Sequence, residues 1–344
     1  MGRGTSFSLL VCALSEAKRM EKKMKKRIIS MLAVTAFTGL ALVGCASNLP
    51  ATISDESAET TALPAAEELT TEESTIAESA AETTKAPTSA AGQARTLEEI
   101  KESGKIEIGV FSDKNPFGYV DENGEVQGYD VYFAKRLGEE LFGSEEAVEF
   151  VFVEAANRVE YLKSAKVDII LANFTVTEER SEQVDFALPY MKVALGVVSP
   201  ENALITDVAE LEDKKLIVVK GTTAETYFTA NHPEVELVKY DEYQEAYDAL
   251  LDGRGDAFST DNTEVLAWAL RNEGFEVGIE TLGGIDSIAP AVQKGNTELL
   301  NWLNEVIKDL GQEQFFHENF DATLKQVYGD SVQPENIVVE GGEL

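Results

Sequence analysis

Residues 96–344 predict an α/β fold divided into two lobes. Three features point that way. First, I-I-L at 169–171 is a short aliphatic run of the kind buried in a parallel sheet, and I-E-I-G-V-F at 106–111 and L-I-V-V at 216–219 also read as strands. Second, one plan occurs twice: Asp168-I-I-L-A-Asn173-F-Thr175 lays over Asp256-A-F-S-T-Asp261-N-Thr263 with the same five-residue step. In each copy an aspartate leads into an apolar strand, and a polar side chain emerges at the strand's carboxyl end, where open α/β sheets bind ligands. Third, the segments at 193–198 and 287–292 read as strands that cross between lobes. The first lobe is then expected at 96–194 with 289–344, and the second at 195–288.

The elements follow in order. Thr96-L-E-Glu99 is a capping-box helix start, and Gly104 is a turn before the strand at 106–111. Next comes the polar loop Ser112-Asp113-Lys114-Asn115-Pro116-Phe117-Gly118-Tyr119, whose two aromatics are either core plugs or faces for a ligand. A turn at Asn123-Gly124 leads to a helix over 131–141 with Phe133, Leu137 and Leu141 on one face. A strand at 149–153 and a helix start at Asn157-Arg158 precede Asp168, while Thr175 or Thr177 before Glu178 and Glu179 marks another helix start. The second lobe opens with a helix at 207–211 and the strand at 216–219. Lys220-Gly221-Thr222-Thr223 then begins a helix as an anion cradle, with too few glycines for a nucleotide phosphate loop. An amphipathic helix over 299–310 rejoins the first lobe.

Composition excludes several classes. A 344-residue chain with 44% apolar content can fill two cores. The net charge of −33 leaves no basic stripe for nucleic acid. Residues 96–344 hold 51 acids against 19 bases, so the acidity belongs to the folded part, which is expected to be soluble and repelled by anionic membrane surfaces. Cys12 and Cys45 are the only cysteines, so the exported domain is expected to lack thiols and disulfides. His232 and His317, the only histidines, have no evident partners for a metal site or a triad. No metal and no cofactor is expected.

Residues 1–44 read as an export signal. Lys22, Lys23, Lys25, Lys26 and Arg27 form its basic part, and residues 28–43 form an apolar part too short for a stable span. Residues 1–19 lack signal character, so the start is expected at Met20 or Met24. Leu42-Val43-Gly44-Cys45 resembles a bacterial lipobox, which implies cleavage before Cys45 and its acylation. Residues 45–95 then carry the lipidated Cys45 and a disordered Ala/Thr/Glu/Ser tether, spanning roughly 40 Å as a flexible coil.

The two copies of the repeat carry opposite charges, Arg180 beside the first and Asp261 in the second. Half-sites of opposite sign suit a zwitterion, with its carboxylate on the first lobe and its ammonium largely on the second. Taken singly, Arg180 pairs with Glu178 or Asp185 and Asp261 caps the helix at 262–269; the matched spacing favours the clamp. Arg158 either reaches the same pocket or binds local carboxylates.

The ordered motifs G-V-F-S-D-K-N-P-F, G-Y-D, A-N-R, V-D-I-I-L-A-N-F-T-V-T-E-E-R, K-G-T-T and G-D-A-F-S-T-D-N resemble the amino-acid solute-binding receptors of ABC importers, over nearly all of 96–344. Within them, E-A-A-N-R-V-E, P-Y-M-K-V-A-L-G-V, I-A-P-A-V, L-G-Q-E-Q-F-F-H and V-V-E-G-G are similar to the cysteine-binding lipoprotein receptors. The resemblance implies the two-lobed type II periplasmic-binding fold with two crossing strands. It places Arg180 and Thr175 on the ligand carboxylate, Asp261 on its ammonium, and Asn173 and Phe174 in the facing lobe. Thr222 and Thr223 fall at the second lobe's helix start. Phe117, Tyr119, Asp113 and Arg158 complete the expected site. The first loop is shorter than in glutamine receptors, and Asn173 stands where those carry glycine.

What this implies is a monomeric, exported, lipid-anchored receptor outside the cell membrane that closes on a small amino acid, L-cysteine by resemblance, and delivers it to a membrane permease. The alternatives are glutamate or glutamine as ligand, or an enzyme on the same fold such as a prephenate or arogenate dehydratase, for which Asp113 or Glu154 would be the general acid. Replacing the acylated residue, Cys45→Ser, is expected to move the protein from the membrane fraction to the soluble one on detergent partition, with amino-acid binding unchanged.

Overall fold

The computed structural model of the protein describes residues 92–343, all within the compact unit Ala80–Leu344. The expected export signal, Cys45 and most of the tether lie outside the described residues. The strands in chain order are β1 (Ile106–Val110), β2 (Asp113–Lys114), β3 (Gly118–Val120), β4 (Val126–Gln127), β5 (Val148–Phe152), β6 (Ile169–Ile170), β7 (Val184–Phe186), β8 (Met191–Pro200), β9 (Lys215–Val219), β10 (Glu236–Tyr240), β11 (Ala257–Asp261), β12 (Phe275–Ile288) and β13 (Ala291–Gln293). The helices that matter below are α1 (Leu97–Ser103), α2 (Tyr129–Phe142), α3 (Arg158–Lys163), α4 (Glu178–Ser181), α5 (Thr223–Asn231), α6 (Tyr243–Leu251), α7 (Asn262–Arg271) and α8 (Thr297–Gln312).

Two five-stranded mixed sheets result, ordered β5-β1-β6-β13-β7 and β10-β9-β11-β8-β12, with β2-β3-β4 as a small third sheet. In the first, β1 runs parallel to β5 and β6, and β13 enters antiparallel between β6 and β7. In the second, β9 runs parallel to β10 and β11, while β8 and β12 are antiparallel. The chain leaves the first sheet after β7 and returns to it at β13. Both passages run through the paired strands β8 and β12, which meet at Met191 and Ile288.

The repeat seen in the sequence is a repeat of hydrogen bonding. Asp168 N–H donates to the Glu107 carbonyl at 2.8 Å, and Glu107 N–H donates back to the Asp168 carboxylate at 2.8 Å. Asp256 does the same with Lys215, also at 2.8 Å in both directions. Each aspartate thus locks the start of its strand, β6 or β11, to the neighbouring parallel strand, β1 or β9. That fixes which residue emerges at the far end.

Local signals explain the element ends. The Thr96 hydroxyl accepts from Glu99 N–H while the Glu99 carboxylate accepts from Thr96 N–H, completing the capping box of α1, which Gly104 ends in the left-handed region. The start of α2 is capped by the preceding loop. Tyr129 N–H and Asp130 N–H donate to the carbonyls of Pro116 and Phe117 at 3.0 and 2.9 Å, so the polar loop hangs from this helix. The rings of Phe133, Tyr190, Phe315 and Phe316 pack around one another in the larger core. A second cluster joins Phe111 and Phe174 of the first sheet's side to Tyr243, Tyr247, Phe258 and Trp268 of the second.

Three expectations change. The helix expected at 207–211 is a 3-10 turn, Val208–Leu211, capped by Asp207. The helix start left open between Thr175 and Thr177 is at Thr177, whose hydroxyl accepts from Arg180 N–H, and the helix is only one turn long. The return crossing is a 14-residue strand, β12, with three register shifts against β8. Its glycines at 278, 283 and 284 hide the strand period.

Gly128 has φ +120°, and a Cβ there would lie 2.2 Å from the Phe117 carbonyl oxygen. Gly128→Ala is expected to destabilise the protein by at least about 2 kcal/mol, read from the midpoint of urea unfolding.

Candidate ligand-binding site

Arg158 and Arg180 converge on one acceptor. Arg158 enters from the start of α3, is 3% exposed, and donates to the carbonyls of Ala155 (3.0 Å), Ala172 (3.0 Å), Asn173 (3.2 Å) and Gly221 (3.1 Å). Arg180, half-buried on α4, donates to Thr175 O at 2.7 Å and to the same Gly221 O at 2.9 Å. Both guanidiniums lie over the Phe174 ring, with centroid distances of 4.4 and 4.7 Å. Gly221 belongs to the turn after β9, so the second sheet offers its main chain to two cations of the first. The approach is close: a Cβ on Gly221, which has φ +73°, would fall 2.4 Å from Ala156 Cα.

Neither guanidinium has a carboxylate within ion-pair range among the described residues. Asp185, one expected partner of Arg180, pairs instead with Lys294 at 2.7 Å. Burial, then the charge of Arg158, pushes the Arg180 pKa down, and burial pushes Arg158 down. A guanidinium keeps its proton in a protein, so the push expresses positive charge that the chain does not balance. Such a place favours an anion.

The opposite pole lies across the seam. Asp261 closes β11 at the N-cap position of α7 but makes no capping bond; its Oδ2 faces Lys114 Nζ at 3.0 Å. Lys114 is 1% exposed and also donates to Asn173 Oδ1 at 2.6 Å. Its ammonium lies 4.6, 5.6 and 5.9 Å from the ring centroids of Tyr243, Phe111 and Phe117. The charge on Asp261 acts on both Arg158 and Arg180, so the two poles share one electrostatic environment.

The other expected site residues divide. Asn173, with φ +44°, sits at the centre: its N–H donates to Asp130 Oδ2 at 2.7 Å while its amide oxygen takes Lys114. Thr175 brings its carbonyl to Arg180, and Phe174 is the platform under both guanidiniums. Thr222 caps α5, accepting from Glu225 N–H and donating to Val219 O. Gly221 N–H is likewise taken by the Glu225 carboxylate, so much of the expected cradle is already occupied; Thr223 is the first residue of α5. Phe117 is fully buried in the larger core, with its ring 5.9 Å from the Lys114 ammonium. Tyr119 sits on β3 opposite Asp113. Asp113 fastens the seam by accepting from Tyr243 N–H (2.7 Å) and Gln244 N–H (3.2 Å) at the start of α6. Glu154, the other acid considered for a dehydratase, accepts from the Asn157 amide. A further tie joins Arg271 of α7 to the side chain and carbonyl of Asn115.

Sequence reasoning missed Lys114, Tyr243, Asp130 and Glu264. Burial pushes Asp130 up to about 7, against the hydrogen bonds it accepts from Tyr190 and Asn173. A 120 Å³ cavity at the seam is lined by Phe111, Asp113, Ala155 and Tyr243 among others. A separate 640 Å³ cavity, lined by Lys192, Asn262, Thr263 and Tyr328 among others, contains none of the expected site residues.

Residues 106–322 match the profile of the bacterial extracellular solute-binding proteins, family 3. The chain belongs to that family. Among curated relatives of this solute-binding protein, the ABC transporter glutamine-binding protein GlnH of Bacillus subtilis is 29% identical over 67% of this chain and 85% of its own length. Among solved structures, a solute receptor for L-cysteine of Neisseria gonorrhoeae is 57% identical, with a TM-score of 0.71 over 72% of this chain and all of its own. The cysteine-binding protein of Campylobacter jejuni is 56% identical, with a TM-score of 0.70 over 71% of this chain and 98% of its own. The fold of the solute-binding protein is the two-lobed type II periplasmic-binding fold of these neighbours.

Glu264 lies directly behind the site. One carboxylate oxygen accepts from Tyr247 OH at 3.0 Å and the other has no partner. Burial pushes it from 4.5 up to about 7. Between those values the folded chain keeps a proton that the unfolded chain releases, so stability falls as pH rises through the window and the loss is complete above it. Urea unfolding is expected to show the wild type losing roughly 1–3 kcal/mol more than Glu264→Gln across that window.

Proposed function

We propose that this solute-binding protein is the lipid-anchored, extracytoplasmic receptor of an amino-acid ABC importer, and that it captures L-cysteine between two lobes and delivers it to the permease. The lobes are 96–194 with 289–344, and 195–288. The observation that carries this reading is the identity of 56–57% with two cysteine receptors, each matched over 98% or more of its length. The glutamine-binding relative is half as similar, at 29%, which supports cysteine over glutamine.

In this reading the ligand carboxylate joins Arg180, whose charge the chain leaves unbalanced, and the ligand ammonium joins Asp261. The two lobes close because only the closed form lets one small molecule touch both poles, so the ligand favours that form by differential contact. The bonds that cross the seam, from Arg158 and Arg180 to Gly221 and from Asp113 to the start of α6, hold the closed form. The chain acts as a monomer, and its Cys45 anchor keeps it near the permease.

Calorimetric titration with the common amino acids and cystine is expected to give tight binding for L-cysteine. Arg180→Ala and Asp261→Ala are each expected to weaken it by at least about a hundredfold, as loss of a buried charged contact does, with circular dichroism unchanged. Tight binding of glutamate or glutamine with none of cysteine overturns the ligand; undiminished affinity in both variants overturns the clamp.

A further inference from the structure

The contact that the zwitterion clamp leaves unexplained is Lys114. A buried ammonium bonded to Asp261 occupies part of the group that is to receive the ligand's own ammonium. Asp261 carries one negative charge and would face two positive ones. The neighbours of Lys114 do not resolve this. Tyr243, Phe111 and Phe117 present ring faces, which attract a cation but carry no charge. Asn173 is neutral. Burial pushes Glu264 and Asp130 up to about 7, so at neutral pH each answers Lys114 with only part of a negative charge. Asp286 is half-buried, and its charge is held down by burial and by Asp261. Arg158 and Arg180 add positive charge.

The position of Lys114 also limits what fits. Its ammonium and the three rings around it lie beside Asp261, so a ligand whose ammonium sits on Asp261 is held next to the Lys114 ammonium. We propose that Lys114 sets the side-chain specificity of the site by filling the space that a long side chain would need and by offering its ammonium to the thiolate of bound cysteine. This rests on the cysteine reading above and deepens it. A thiolate supplies the second negative charge: the carboxylate answers Arg180, the thiolate answers Lys114, and Asp261 is left to the ligand's ammonium. The S–H proton passes to the solvent on binding. A free cysteine thiol titrates near 8.5, and a cation at contact distance brings it well below neutrality. Serine, which has the same size and cannot ionise, leaves Asp261 to answer both Lys114 and the ligand ammonium.

The test is a titration of the full protein at neutral pH with L-cysteine, L-serine and S-methyl-L-cysteine. It follows the ultraviolet absorbance of the thiolate and the proton release measured calorimetrically in two buffers of different ionisation enthalpy. Cysteine is expected to develop the thiolate band and release roughly one proton per molecule bound, with serine and S-methyl-L-cysteine at least about tenfold weaker. Lys114→Met, which keeps the stem and removes the charge, is expected to abolish the thiolate band and bring cysteine and serine within about threefold. Should that variant fail to fold, the wild-type readouts decide alone. Cysteine bound tightly with no thiolate band and no proton release overturns this inference and leaves the ligand reading standing. Tight binding of another amino acid with none of cysteine overturns both.

Discussion

The Gly221 carbonyl oxygen, shared by two guanidiniums, is the contact on which the site is built. A carbonyl is a dipole, not a charge. It orients Arg158 and Arg180 and ties the second sheet to the first, yet it leaves their positive charge almost whole. A carboxylate in its place would have neutralised the pair and removed the attraction for an anionic ligand. Phe174 works in the same direction, supporting both cations with a ring face while blocking water from below. The positive pole is therefore largely buried and lacks a carboxylate partner among the described residues, the condition under which a charge-assisted bond contributes most.

The same economy of parts appears in the two half-sites. Asp168 and Asp256 each clasp the neighbouring strand with the same pair of bonds and set the register of the strand that delivers Asn173 or Asp261. Arg95 adds a cation to the first clasp through the Asp168 carboxylate, and Lys214 stands 3.9 Å from the second. The candidate site residues sit five positions further on, at the far end of the segment that each aspartate opens. Similar scaffolds thus present residues of different polarity to one seam.

That spacing is why so much was legible beforehand. Strands β6 and β9 announced themselves as aliphatic runs and β1 as an apolar run interrupted by Glu107, the capping box gave α1, and the repeat pointed to Arg180 and Asp261 as candidates. What escaped notice did so for physical reasons. Lys114 lies in a polar loop, where a lysine ordinarily points to water; only the aromatics on either side, Phe111 and Phe117, hinted that its ammonium could be enclosed. Tyr243 belongs to a segment from the far side of the seam, with no local signal that links it to residue 114. Strand β12 was obscured by its glycines, which interrupt alternation where the strand bends. Cap residues and anion-site residues are the same types, so the sequence alone did not reveal that the Thr222 hydroxyl caps its helix.

The near-contact of Gly221 with Ala156 has one more consequence. Where main chain rests on main chain there is no flexible side chain to give way, so the two halves of the seam have a hard stop. Any side chain at position 221 would collide with the backbone of Ala156, so the residue whose carbonyl serves both arginines is also the one whose bareness lets the two halves come that near.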